Sequence, residues 1–225
     1  MKLPKFERLP IIGIIRGAGT EQLLPAVKVA VEAGLSTLEI TLNRPEAIAQ
    51  LERLRRDFGV DLELGAGTVL TAEAAESAIN AGAEFIVTPA LLPEVIEVCR
   101  LRQVPVFPGA MTPTEILCAF RAGAAMVKVF PAGGLGPGYI KALRGPFPRI
   151  PLMPTGGVSV ESVADYFNAG ADAVGIGGEI FKREWMAAGN LEAIAQAARS
   201  FVQAVRAITQ ALKESSLQRG KRDEF

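Results

Sequence analysis

Two charged residues stand inside apolar runs: Lys128 in Met126-Val127-Lys128-Val129-Phe130, and Glu39 in Leu38-Glu39-Ile40-Thr41. Runs of this kind read as buried strands. Lysine and glutamate are seldom fully buried, because the ammonium and the carboxylate lose hydration there. A lysine drawn out of water ionises less readily, and its neutral amine is a nucleophile toward a carbonyl carbon. A nearby glutamate can move the protons that such an attack requires. The carboxylate's attraction opposes the desolvation of the amine, so sequence alone leaves the direction of the lysine shift open. The same two residues also fit a structural ion pair, in which desolvation cancels much of the attraction.

The chain contains no histidine. That excludes Ser-His and Cys-His nucleophile pairs and any histidine-based metal site. Acid-base work falls to Glu, Asp, Lys, Tyr or Cys.

Residues 39 and 128 are far apart in the chain, so a fold must bring them together. A repeated pattern shows how. A helix-like stretch, an Ala-Gly stop and a short strand recur around Gly34, Gly82, Gly123 and Gly170. Glycine past a helix end takes up the left-handed cap conformation. The spacings of 48, 41 and 47 residues each hold two βα units. Intervening strands are expected at Ile11–Ile15, Leu62–Ala66, Val104–Phe107 and Pro151–Pro154, with helices around Pro45–Asp57, Pro93–Leu101 and Tyr139–Leu143. Eight strands alternating with helices predict an α/β fold, a (β/α)8 TIM barrel in a single domain over residues 1–212. An open doubly wound sheet uses the same alternation and is the competing architecture. The last helix is expected over Leu191–Leu212, and the polar tail 213–225 is expected to fray.

Side chains alternate across a strand. With Val127 and Val129 toward the helices, Met126, Lys128 and Phe130 point inward on the sixth strand. With Leu38 and Ile40 toward the helices, Thr37, Glu39 and Thr41 point inward on the second. Arg16 joins them at the end of the first strand if Ile12 and Ile14 point inward. The carboxyl ends of the strands form the active-site face of a barrel. Gly65-Ala66-Gly67-Thr68, Thr155-Gly156-Gly157 and Gly177-Gly178 follow the third, seventh and eighth expected strands. Glycine lets backbone approach a ligand closely, and loops after the seventh and eighth strands commonly hold phosphate.

Bulk properties narrow the partners. Lys plus Arg and Asp plus Glu number 24 each among 225 residues, so no basic excess points to nucleic acid. The start Met-Lys-Leu-Pro-Lys-Phe-Glu has no signal-peptide pattern, and no apolar run approaches the length of a membrane span. Cys99 and Cys118 lack metal-ligand spacing and are expected to be reduced core or near-core residues of a cytoplasmic protein. The 49% hydrophobic content hints at an oligomer with apolar interfaces.

A set of blocks occurs in order: Leu38-Glu39-Ile40-Thr41, Gly65-Ala66-Gly67-Thr68-Val69, Thr88-Pro89, Pro108-Gly109-Ala110-Met111-Thr112-Pro113-Thr114-Glu115, Val127-Lys128-Val129-Phe130-Pro131-Ala132, Gly145-Pro146-Phe147-Pro148 and Pro154-Thr155-Gly156-Gly157-Val158. Together, over about residues 10–205, they resemble the bacterial 2-keto-3-deoxy-6-phosphogluconate (KDPG) and 2-keto-4-hydroxyglutarate (KHG) aldolases. The resemblance implies a class I aldolase that yields pyruvate and an aldehyde through a covalent lysine imine. It also implies no metal or other cofactor, small 2-keto acid and aldehyde partners, and a homotrimer. Carried over by position, Lys128 is the Schiff-base lysine and Glu39 the general acid/base. Gly67 and Thr68 hold the pyruvyl carboxylate, and Phe130 packs beside the imine. Pro89 lines the mouth and Arg16 contacts an anion. Thr155, Gly156, Gly157, Gly177 and Gly178 surround a distal phosphate.

Two positions depart from that pattern. Several relatives place an arginine against the substrate carboxylate where this chain has Asn43, followed by Arg44. Arg44 either takes over that role or leaves the carboxylate without an arginine at this point. Where some relatives carry a phosphate-binding serine this chain has Glu179, a repulsive neighbour for phosphate unless it turns away. An unphosphorylated substrate such as KHG gains from that change. Two other readings stay open: a phosphate-binding barrel of different chemistry (thiamine-phosphate-synthase-like, or a phosphosugar isomerase), and a non-catalytic oligomeric barrel.

Overall fold

The computed structural model describes residues 3–220, with side chains described as far as Glu214. In chain order the elements are α1 (Pro4–Arg8), β1 (Ile11–Ile15), α2 (Thr20–Glu32), β2 (Thr37–Thr41), α3 (Ala47–Phe58), β3 (Glu63–Gly67), α4 (Ala72–Asn80), β4 (Phe85–Val87), α5 (Pro93–Arg102), β5 (Val106–Phe107), β6 (Gly109–Ala110), α6 (Pro113–Arg121), β7 (Val127–Val129), α7 (Gly136–Arg144), β8 (Leu152–Pro154), α8 (Val163–Asn168), β9 (Val174–Ile176), α9 (Arg183–Ala188) and α10 (Leu191–Gly220). The four Ala-Gly stops all end helices with glycine at positive φ, from +95° at Gly34 to +106° at Gly123. A residue with a Cβ is strained there.

The strands form two parallel sheets. One has six strands in the order β5-β4-β3-β2-β1-β9 and curls as a half-barrel; the other has three in the order β6-β7-β8. Backbone contacts join them on both sides. Ala125 N–H donates to the Val106 carbonyl at 3.0 Å, Asp172 N–H donates to the Leu152 carbonyl at 2.9 Å, and Thr155 bridges Gly175 in parallel. The fifth strand, expected at Val104–Phe107, is confined to Val106–Phe107, and a second short segment, Gly109–Ala110, follows it in the other sheet. Pro108 divides them: it has no N–H to give to a ladder, although its carbonyl accepts from Lys128 N–H at 2.9 Å.

Burial follows the alternation. Ile11, Ile15, Leu38, Ile40, Val127 and Val129 pack outward against the helices. Ile12, Ile14, Phe85, Val87, Phe107, Met126, Met153 and Ala173 form a second, inner cluster. Leu3 and Phe6 of the α1 segment join that inner cluster, with Phe6 5.7 Å from the Phe107 ring. Helix α1 thus plugs the interior from the amino ends of the strands. Pro4, which reads as a breaker in sequence, occupies the start of the helix, where its missing N–H costs nothing.

Glu63 holds the plug in place. Its buried carboxylate accepts from Lys5 N–H at 2.7 Å, from Phe6 N–H at 2.8 Å and from the Thr37 hydroxyl at 3.3 Å. Hydrogen bonds to charged groups contribute about 1.5–3 kcal/mol each, so Glu63→Ala is expected to lower unfolding free energy by about 3 kcal/mol. Urea denaturation measures it; a loss within about 0.5 kcal/mol, the range of ordinary surface changes, would mean that the plug is held by its apolar contacts alone.

Two details differ from the sequence reading. Helix α10 continues to Gly220 rather than stopping at Leu212. The first part of the expected frayed tail is therefore helical, and residues 221–225 lie outside the described residues. Cys118 is exposed, because Ile116 and Ala119 take the buried face of α6. Cys99 is buried, and desolvation pushes its thiol up to about 12. Among the described residues no helix is long and apolar enough to cross a membrane.

Candidate active site

Period-two alternation and the parallel register bring the two acid-base candidates to one interior. Glu39 stands between Ile14 of β1 and Gly65 of β3, and Lys128 between Gly109 of β6 and Met153 of β8. Both side chains are buried, Glu39 at 1% exposure and Lys128 at 3%. Inward glycines make the room. A Cβ at Gly67 would lie 2.3 Å from Glu39 Oε1, and one at Gly109 would lie 2.3 Å from the Pro89 carbonyl carbon. Neither approach is possible for any other residue without displacing its neighbour.

Neither Glu39 oxygen has a hydrogen-bond partner among the described residues. The lysine amine is thus outside hydrogen-bond reach of the carboxylate, and the two act on each other through space. Burial dominates both. Desolvation holds the Glu39 carboxyl above its ordinary range, against the opposing pull of Lys128 and Arg16. Desolvation holds the Lys128 amine below its ordinary range; Glu39 opposes that and Arg16 reinforces it. The direction left open by the sequence is therefore downward, toward a neutral amine. The Lys128 Nζ lies 5.1 Å from the centre of the Phe130 ring.

Lys128 opens onto a cavity of about 1100 Å³ at the carboxyl ends of the strands. Ten of the residues singled out from sequence line it. Arg16, Thr68, Pro89, Lys128 and Phe130 come from the ends of several strands, and Thr155, Gly156, Gly157, Gly177 and Gly178 from the loops after β8 and β9. Glu39 and Gly67 do not line it; the carboxylate lies buried, packed against Gly67. Arg16 Nη1 approaches Thr68 Oγ1 at 3.5 Å, and Thr68 itself sits at φ +56°. A threonine held in the left-handed region is strained and fixes the direction of its hydroxyl and amide. Gly157 packs against Gly133, where a Cβ would come within 2.6 Å of its Cα, and Gly133 N–H donates to the Gly156 carbonyl at 2.7 Å.

The two departing positions also face this cavity. Asn43 Oδ1 accepts from the Thr41 hydroxyl at 2.5 Å, and Arg44 is engaged by Glu46 at 2.6 Å. Glu179 is exposed on the cavity wall. Sequence reasoning missed Gln22 and Arg183, which line the same space. Both lie outside the strand-end motifs, so neither alternation nor spacing points to them. Among the described residues no group of three or more His, Cys, Asp or Glu is arranged to hold a metal ion.

A family model described as KDPG and KHG aldolase matches residues 4–197. The 2-dehydro-3-deoxy-6-phosphogalactonate aldolase of Escherichia coli (strain K12) is 35% identical over 204 residues, which cover 90% of this chain and 98% of that one. The 2-dehydro-3-deoxy-phosphogluconate aldolase of Haemophilus influenzae is 35% identical over 91% of this chain and 96% of its own. Among solved structures, native KDPGal superposes with a TM-score of 0.84 at 34% identity, over 93% of this chain and 98% of that one. The KDPG aldolase from Legionella pneumophila, with pyruvate captured as a covalent carbinolamine, gives 0.82 at 29% identity over 89% and 98%. A cube-shaped cage designed by fusing symmetric oligomeric domains gives 0.86 at 33% identity, over 95% of this chain and 78% of that one.

Proposed function

The chain belongs to the KDPG and KHG aldolase family, and from that premise we propose that Lys128 and Glu39 carry a lysine-imine cleavage of a 2-keto-3-deoxy-6-phospho sugar acid or of KHG. It is an aldolase, a carbon–carbon lyase that releases pyruvate and an aldehyde. The observation that carries the residue assignment is the buried Lys128 amine, held below its ordinary pKa beside Glu39 and open to the cavity.

The steps follow from the groups present. Neutral Lys128 attacks C2 of the keto acid, and the carbinolamine loses water to give a cationic imine. Glu39, acting through water, supplies and removes protons. The imine withdraws electrons from the C3–C4 bond as a proton leaves the C4 hydroxyl, and the aldehyde departs. The enamine is protonated at C3, and hydrolysis of the new imine returns pyruvate and free Lys128. Thr68, with Arg16 nearby, holds the keto-acid carboxylate; Gly67, which does not line the cavity, makes room for Glu39 instead. Phe130 flanks the imine, and Pro89 lines the entrance. Thr155, Gly156, Gly157, Gly177 and Gly178 surround the distal end.

The two sheets, joined by the contacts of Ala125 with Val106 and of Thr155 with Gly175, support reading residues 1–212 as one closed (β/α)8 barrel. Match to a cage built from symmetric oligomeric domains, with Met111 and Phe120 exposed, supports a symmetric oligomer, read as the homotrimer that the resemblance implies. A coupled assay for pyruvate tests the activity. Cleavage is expected to survive exhaustive EDTA treatment, because the imine rather than a metal stores the electron pair. Loss of turnover that returns with added divalent ion would contradict this reading.

A further inference from the structure

We propose that Arg183 is the charge that selects a phosphorylated substrate in this site, offsetting the carboxylate that Glu179 places in the same wall. The proposal rests on the aldolase reading above and names the substrate class within it.

The cavity of about 1100 Å³ runs from Lys128 past the Gly156-Gly157 and Gly177-Gly178 loops to α9. Its arginines differ in availability. Arg44 is tied to Glu46 at 2.6 Å and to the Gly17 carbonyl at 3.4 Å. Arg16 lies at the end of β1, where it approaches Thr68 and acts electrostatically on both Lys128 and Glu39. Arg183 has no hydrogen-bond or ion-pair partner among the described residues; it is exposed and lines the part of the cavity that follows β9. Glu179 lines the same part and is not paired with it.

The glycine loops offer backbone donors but no charge. A phosphate monoester carries about −1.5 to −2 at neutral pH, and Glu179 alone would repel it. A free guanidinium four residues further on offsets that charge and, unlike a point charge, matches phosphate oxygens in a two-pronged geometry. Glu179 remains able to accept a hydrogen bond from a substrate hydroxyl. The distal subsite therefore favours a six-carbon 2-keto acid with a terminal phosphate over the same acid without phosphate, and over KHG with its short carboxylate end.

The test compares kcat/KM for 2-keto-3-deoxy-6-phosphogluconate, its unphosphorylated counterpart and KHG. The phosphorylated acid is expected to lead by tenfold or more in the parent. Arg183→Gln is expected to cut that lead by about tenfold, a loss typical of one charge-assisted contact. The fall should sit in KM of the phosphorylated acid, with the other two substrates changed less than about twofold; Arg183→Lys restores part of it. Glu179→Gln is expected to widen the lead. Equal losses on all three substrates, or a parent with no preference for phosphate, would overturn the proposal while leaving the aldolase intact. Absence of cleavage of all three by the parent would overturn the aldolase reading and this proposal with it.

Discussion

Replacing Lys128 with methionine is expected to abolish aldol cleavage, a fall of about 10⁴-fold or more, since the covalent electron sink is removed outright. Methionine keeps most of the buried stem and removes the amine whose desolvation the fold must bear. Glu39 then loses one of the two cations that lower its pKa, and it takes up a proton more readily. An uncompensated buried charge is thereby avoided, and the variant is expected to unfold in one cooperative transition. Steady-state pyruvate release and urea denaturation check the two halves. Turnover above about 1% of the parent, far beyond what loss of an essential nucleophile permits, would show that a different group attacks the substrate.

Glu39→Gln is the second large effect. Loss of a positioned acid-base group lowers turnover by about 10²–10⁴-fold. Glutamine has nearly the same shape, so the tight packing against Gly67 is kept. The pH dependence has a definite sign. The Glu39 charge raises the Lys128 pKa, while burial and Arg16 lower it. Removing that charge takes away the opposing influence, and Lys128 moves further below its ordinary value. Reaction of Lys128 with pyruvate should then reach half of its maximal extent at a lower pH than in the parent. A shift upward, or none, would place Glu39 out of electrostatic contact with the lysine.

Much of this site is legible in the chain because strand alternation has a period of two. Val127 and Val129, like Leu38 and Ile40, must meet the helices, and Lys128 and Glu39 are left to the interior. The Ala-Gly stops are equally local, since a left-handed cap needs glycine whatever surrounds it. Features set by distance between elements are not legible. The direction of the Lys128 shift depends on how fully strands that are distant in sequence exclude water around it, and on where Arg16 lies. Helix α1 has five residues and too short a period to announce itself, and its role as a plug depends on Glu63 and Phe107 in other elements. The break at Pro108 splits a strand whose apolar pattern continues across it. Arg183 enters the site through the position of α9, which no motif marks.

The most direct test of the lysine-imine assignment is borohydride reduction in the presence of pyruvate, read by intact mass and peptide mapping. A single pyruvyl adduct on Lys128, retained in Glu39→Gln and absent from Lys128→Met, is the predicted result. A folded protein that gains no adduct, or gains it on another lysine, would contradict the assignment.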